Sequence, residues 1–182
     1  MIHPGNILIA KPFLQDGYFK RSVIYMAEHN DEGSMGFVIN KPQGLLLKDV
    51  FPHLKHGNFP LFEGGPVSSN QLFYTHTLGK KLTDSIEVSK GIFWGGNFFE
   101  LSYFIEHGKI STHQIRFYIG YTGWGKDQLN QELEADSWLI GKNAKYEELI
   151  KVIPDEMWGF ELTKINPGYR AFSDFAFDPS LN

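Results

Sequence analysis

Between Arg21 and Pro42 the chain reads RSVIYMAEHNDEGSMGFVINKP, two apolar runs held apart by a polar cluster. Ser22 to Ala27 and Met35 to Asn40 are bounded by turn-forming residues and carry the side chains that favour strands. His29-Asn30-Asp31-Glu32-Gly33 between them contains residues that tolerate left-handed backbone, so the spacing predicts a β-hairpin. A strand pair with such a loop is how a fold presents a polar surface site on rigid supports.

Further short apolar runs predict strands at Asn6 to Ala10, Leu72 to Thr77, Ser85 to Ser89, Gly91 to Trp94 and Ser137 to Ile140. Gln114 to Gly120 alternates Ile115, Phe117 and Ile119 with Arg116 and Tyr118, which predicts a strand with one buried and one partly exposed face. Phe62 to Val67, with Gly64-Gly65-Pro66 at its centre, reads as a tight turn. Leu45 to Leu54 has the spacing of a short amphipathic helix limited by Pro52. Asn97, with Glu100 three residues on, predicts a capping box opening a helix that Gly108 ends. Lys126 to Ala135 reads as a helix with a narrow apolar stripe and one wet face, and Lys145 to Ile153 and Asp155 to Lys164 as two helices parted at Pro154. Helices inserted between hairpin-like clusters predict an α+β fold with a mixed, mostly antiparallel sheet. The 182 residues suffice for a single compact domain over 1–182, whose end at 172–182 is either a docked or a frayed tail.

Composition narrows the chemistry. The chain has no cysteine, which removes thiol nucleophiles, disulfides, iron–sulfur clusters and cysteine zinc sites. A formal net charge of −4 without clustered Lys and Arg argues against sequence-independent nucleic-acid binding. No apolar run is long enough to span a bilayer, and MIHPGNILIAKPF lacks the pattern of a secretory signal, which points to the cytoplasm.

Gly120-Tyr-Thr-Gly-Trp-Gly125-Lys126-Asp127 approaches the phosphate loop G-x-x-x-x-G-K-[ST] but ends on Asp127, whose carboxylate would repel phosphate where a hydroxyl should hold magnesium. The favoured reading is a strand-to-helix turn plugged by Trp124, with Asp127 facing the helix dipole. The seven histidines include no H-E-x-x-H, and His53 and His56 have no evident third ligand, so neither a metal nor a cofactor is assigned. There is no G-x-S-x-G elbow; Ser22 and Ser34, flanking the loop of His29 and Asp31, are the serines to test. Glu132, Glu134 and Asp136 read as solvated charge, whereas Glu28 ends an apolar strand and is the more interesting carboxylate.

The segments GNILIAKP from Gly5, FKRSVIY from Phe19, EHN from Glu28, GSMGFVINKP from Gly33, GGPV from Gly64, GYTGW from Gly120, Gln128-Leu129 and Trp138-Leu139 occur in this order. Together they resemble the AlgH/YqgE family of bacterial proteins, from about Gly5 to about Trp158. The resemblance implies a small barrel-like sheet surrounded by helices, a cytoplasmic location, and a label of transcriptional regulator that comes from a genetic association with alginate production. It brings no catalytic residues. Ser34 stands for a usual Ala, Trp94 to Asn97 for a Thr/Ser-Arg-Asp run, and Lys126-Asp127 for a small-residue pair.

These readings favour a non-enzymatic binding or regulatory protein that contacts a protein or small ligand. Its candidate residues are Arg21, Glu28, His29, Asn30, Asn40, Lys41, Gly64, Gly65, Tyr121, Trp124 and Gln128, on loops expected to converge. The alternatives are a hydrolase with a Glu28 or His29 base and Arg21 or Lys41 binding an anionic substrate, and a direct DNA-binding regulator.

Overall fold

The computed structural model describes residues 2–141 and 145–173. The sequence-based reading of the tail from residue 174 onward lies outside the described residues. Ten strands form the scaffold: β1 (Ile7–Ala10), β2 (Val23–Asn30), β3 (Gly33–Val38), β4 (Pro42–Leu46), β5 (Pro60–Glu63), β6 (Val67–His76), β7 (Ser85–Ser89), β8 (Ile92–Gly95), β9 (Ile115–Gly125) and β10 (Trp138–Gly141). The helices are α1 (Leu47–Val50), α2 (Phe98–Glu106), α3 (Gln128–Glu134), α4 (Tyr146–Leu149), α5 (Pro154–Ile165) and α6 (Arg170–Ser173).

The strands follow the order β10-β1-β2-β3-β9-β6-β8-β7, and all these neighbours pair antiparallel. β5 pairs antiparallel with β4 and parallel with β9, which makes the sheet mixed. β9 is its hub: the first part runs beside β5 and β6, the last part beside β3. The sheet curls strongly into a half-barrel, so that β2 and β7, far apart in strand order, meet where the Tyr25 hydroxyl and Ser89 Oγ hydrogen-bond at 3.0 Å.

Both faces of the curl are covered. Val23 and Tyr25 join the inner cluster with Phe37, Tyr118 and the Trp158 and Leu162 side chains of α5. Ile24 and Met26 point the other way, into a cluster with Leu129 of α3 and Trp138. A third cluster lies under α2, around Leu101, Ile105 and Phe117. This corrects the expectation of a half-exposed β9: Ile115 through Tyr118 are all buried, because neighbouring elements cover each face. Even Arg116 is buried, donating to the carbonyls of Ile39 at 2.6 Å and Ile150 at 3.1 Å with its guanidinium 4.3 Å from the Phe62 ring centroid.

Several boundaries also differ from expectation. Residues 42–46 extend along β5, leaving α1 one turn where a longer helix was predicted. α4 is likewise one turn, and the predicted turn at 62–67 is confined to Gly64-Gly65-Pro66 between β5 and β6. Asn97 caps α2 by accepting from the N–H groups of Phe99 and Glu100. Glu100, however, accepts from Thr83 N–H at 2.8 Å instead of closing a capping box, since Asn97 N–H is engaged by Thr83 O. Gly108 ends α2 at φ 63°, its N–H and that of Lys109 returning to Ile105 and Phe104. No helix among the described residues is long and apolar enough to cross a membrane.

Candidate functional site

The β2–β3 ladder slips by one residue beyond Met26. Met26 faces Gly36, but the next pair is Glu28 with Met35. The extra residue, Ala27, is buried in the inner cluster. A bulge of this kind re-aims the side chains that follow it. Without it Glu28 would face Ser34; with it Glu28 shares a cross-strand row with Met35 and Gly123, and His29 faces Ser34 and Trp124. His29 Nδ1 and Ser34 Oγ hydrogen-bond at 2.7 Å, and Asn30 Oδ1 accepts from Glu32 N–H at 2.9 Å, which fixes the two-residue tip Asp31-Glu32.

β9 continues past Gly120 and carries its own turn to the same end of the domain. Gly125 N–H donates to Gln128 Oε1, and Gln128 Nε2 donates to Glu132 Oε1, each at 3.0 Å. The indole N–H groups of Trp124 and Trp138 both donate to Glu132 Oε2. Glu132, read from the sequence as solvated charge, is thus an internal acceptor, because its helix lays it over the two indoles. Trp124 is 6% exposed and does act as the plug of the strand-to-helix turn. Asp127 makes no side-chain cap and adopts φ 59°, so it serves the turn through its backbone rather than through a capping bond to α3.

Two open depressions flank the hairpin here. One, of about 530 Å³, lies between His3, His29, Asp31 and Ser34 on one side and Lys126, Asp127 and Asn130 on the other. The second, of about 500 Å³, lies among Glu28, Glu32, Met35, Val67, Tyr121 and Trp124. Asn30, Gly33 and Ser34 line both. No three His, Asp or Glu side chains among the described residues form a group that could hold a metal ion.

The structure therefore brings together Glu28, His29, Asn30, Tyr121, Trp124 and Gln128. It separates them from Arg21, Asn40 and Lys41, which lie at the opposite ends of β2 and β3, roughly 25 Å away at about 3.3 Å per strand residue. There Asn40 Oδ1 accepts from Val23 N–H and Asn40 Nδ2 donates to Arg21 O. The Arg21 guanidinium lies 4.8 Å from the Trp158 ring centroid. Lys41 Nζ donates to Tyr18 O, and burial lowers its pKa against the opposing pull of the Glu63 and Asp16 carboxylates. Gly64 and Gly65 are buried between strands: a Cβ at Gly65 would stand 2.0 Å from the Tyr121 carbonyl carbon, and one at Gly64 2.2 Å from Gly120 O. Their role in the fold is to let backbones touch. Sequence reading missed His3, in the turn before β1, and Met35 and Val67, which reach the site through strand pairing; none carries a local signal.

A strongly curled α+β half-barrel with two loop-built depressions at one end defines the class of this protein. The AlgH-like family matches residues 7–170. A UPF0301 protein of Cytophaga hutchinsonii is 37% identical over 183 residues, covering 100% of both chains, and one of Bacteroides thetaiotaomicron is 38% identical over 179 residues, covering 98% of this chain and 90% of that one. The solution structure of the AlgH protein from Pseudomonas aeruginosa matches with a TM-score of 0.76 and 27% identity, over 96% of this chain and 95% of that one. A crystal structure of a Corynebacterium diphtheriae protein shares the fold at a TM-score of 0.74 and 20% identity, over 96% and 93% of the two chains. The chain belongs to the AlgH-like family.

Proposed function

We propose that the protein is a non-enzymatic binding protein with a regulatory role in the cytoplasm, recognising a protein or small-molecule partner at the end where the β2–β3 tip meets the β9–α3 turn. One observation carries this reading. Trp124, Gln128 and Glu132 of the β9–α3 turn are locked by mutual hydrogen bonds, while the side chains of Glu28, Asp31, Glu32, Lys126 and Asp127 at the same end have no ion-pair partner among the described residues. A rigid turn beside unpaired charges lowers the ordering cost of binding and supplies specificity. The test compares retention of lysate proteins and metabolites by wild type, by a His29→Ala/Lys126→Ala double variant, and by a Phe99→Ser control on the exposed face of α2. A partner held by wild type and the control and lost from the double variant is expected. A partner held equally by all three overturns the reading.

The 2.7 Å contact of His29 Nδ1 with Ser34 Oγ favours one alternative, a hydrolase in which His29 accepts the Ser34 proton. Against it, no carboxylate among the described residues bonds His29 Nε2 to orient the ring, as a triad requires. Turnover on ester and phosphoester panels, abolished by His29→Ala, Ser34→Ala or Glu28→Gln, would establish it; inert wild-type protein excludes it. Direct DNA binding has less support, since Glu28, Asp31, Glu32 and Asp127 outnumber Lys126 at this end, and a gel shift at low salt with no retained DNA closes that question.

A further inference from the structure

We propose that the second depression, framed by Glu28, Glu32, Met35, Val67 and Tyr121, is a receptor for an alkylammonium or guanidinium group. This rests on the binding-surface reading above and gives it a ligand chemistry.

The bulge at Ala27 places Glu28 in a row with Met35 and Gly123, and the hairpin tip carries Glu32 to the rim. Met35 stands in the middle of that row, and Gly123 beside it has no side chain, which makes room for the Tyr121 ring, 3.1 Å from where its Cβ would be. Neither carboxylate makes an ion pair or a side-chain hydrogen bond among the described residues, and the Tyr121 hydroxyl makes no hydrogen bond there. Among the described residues the depression is lined by no Lys, Arg or His. Its remaining surface is aromatic and apolar: the Tyr121 ring is held edge-on against Phe73 with centroids 5.4 Å apart, and Met35 and Val67 complete the wall.

An anion would meet two carboxylates here, and a neutral ligand would leave both without a partner. A cation on a short apolar stem uses every part of the site. Its N–H groups make charge-assisted hydrogen bonds to Glu28 and Glu32, its charge is attracted by the Tyr121 ring, and its stem packs on Met35 and Val67. A free polyamine and a basic side chain of a protein partner share this chemistry.

The test is calorimetric titration at low ionic strength with spermidine, with a capped Gly-Arg-Gly peptide, and with the same peptide carrying neutral citrulline in place of arginine. Wild type is compared with Glu28→Gln/Glu32→Gln and with Tyr121→Leu, each checked for an unchanged thermal melt. Saturable binding of a cationic probe, none of the citrulline peptide, and weakening by about tenfold or more in the double carboxamide variant are expected. Tyr121→Leu should weaken binding by about threefold or more. Binding of spermidine alone assigns a free polyamine, and binding of the arginine peptide alone assigns a partner side chain. Absence of saturable binding for both probes, or equal binding by the double variant, overturns the proposal. His29→Ala/Lys126→Ala keeps cation binding, so a silent titration with partner capture intact sinks this inference alone, and the converse result sinks only the wider reading.

Discussion

Trp124 and Trp138 donate their indole N–H groups to one and the same oxygen, Glu132 Oε2, each at 2.8 Å, while their rings meet edge to face with centroids 6.2 Å apart. One ring ends the strand that enters the turn and the other begins the edge strand that leaves α3. The carboxylate between them therefore fixes the position of the helix that borders the first depression.

Glu132→Ala leaves two largely buried donors without their acceptor, and urea unfolding should show a loss of about 3 kcal/mol. Glu132→Gln retains one carbonyl acceptor and should cost about 1 kcal/mol. If both variants unfold at the wild-type urea midpoint, the shared carboxylate is not what holds this turn.

Asn40 was a candidate contact residue, yet its side chain is consumed as a splint between Val23 N–H and Arg21 O, where β2 begins. Asn40→Ala orphans a buried donor and an acceptor, so stability should fall by about 2 kcal/mol. Partner and cation binding at the hairpin tip should be unchanged, since sites so far apart act independently. A folded Asn40→Ala protein that has lost binding would contradict the division of the candidate residues into two groups.

Much of the scaffold was legible because its signals are local. The Asn97 cap, the Gly108 stop and the β2–β3 hairpin each depend on residues a few positions apart. What escaped depends on distant partners. β4 has four exposed residues and no alternation, and it is a strand only because β5 lies beside it. The glycines of residues 120–125 suggested a loop, but Gly120 packs against the backbone of Gly65 and the strand runs on to Gly125. The bulge at Ala27 has no signature of its own; it follows from matching β2 to β3 on both faces, and it decides which side of the sheet Glu28 occupies. That the tip and the β9–α3 turn share one end follows from the pairing of β3 with β9, and the separation of Arg21 and Lys41 from them from the register of β2 with β3; neither could be read from the sequence.

Gly65→Ala places a methyl group 2.0 Å from the Tyr121 carbonyl carbon, in backbone that cannot swing aside. A loss of more than about 3 kcal/mol is expected, recorded as insoluble protein or a collapsed melting transition. Gly17→Ala is the control: nothing lies within 4 Å of its Cβ position, and the substitution should be neutral or stabilise by about 0.5 kcal/mol. Equal behaviour of the two variants would remove the steric account of the Gly64-Gly65 turn.

His76 gives the fold a dependence on pH. It is fully buried, its Nδ1 accepts from Leu78 N–H at 3.2 Å, and its Nε2 donates to Gly95 O at 3.0 Å, an arrangement only the neutral ring can make. Burial lowers its pKa from the ordinary 6.5, against the smaller opposing effect of the Gly95 bond. Above pH 6.5 the ring is neutral whether the chain is folded or not, and titration contributes nothing. As pH falls below 6.5 the unfolded chain takes up the proton first, so stability declines until the folded-state pKa is also passed. Urea midpoints measured from pH 8 to pH 5 should therefore drop on the acid side, and His76→Gln, whose charge does not change, should flatten that drop while lowering stability at pH 8. An acid-side slope identical in wild type and His76→Gln would assign the dependence to other groups.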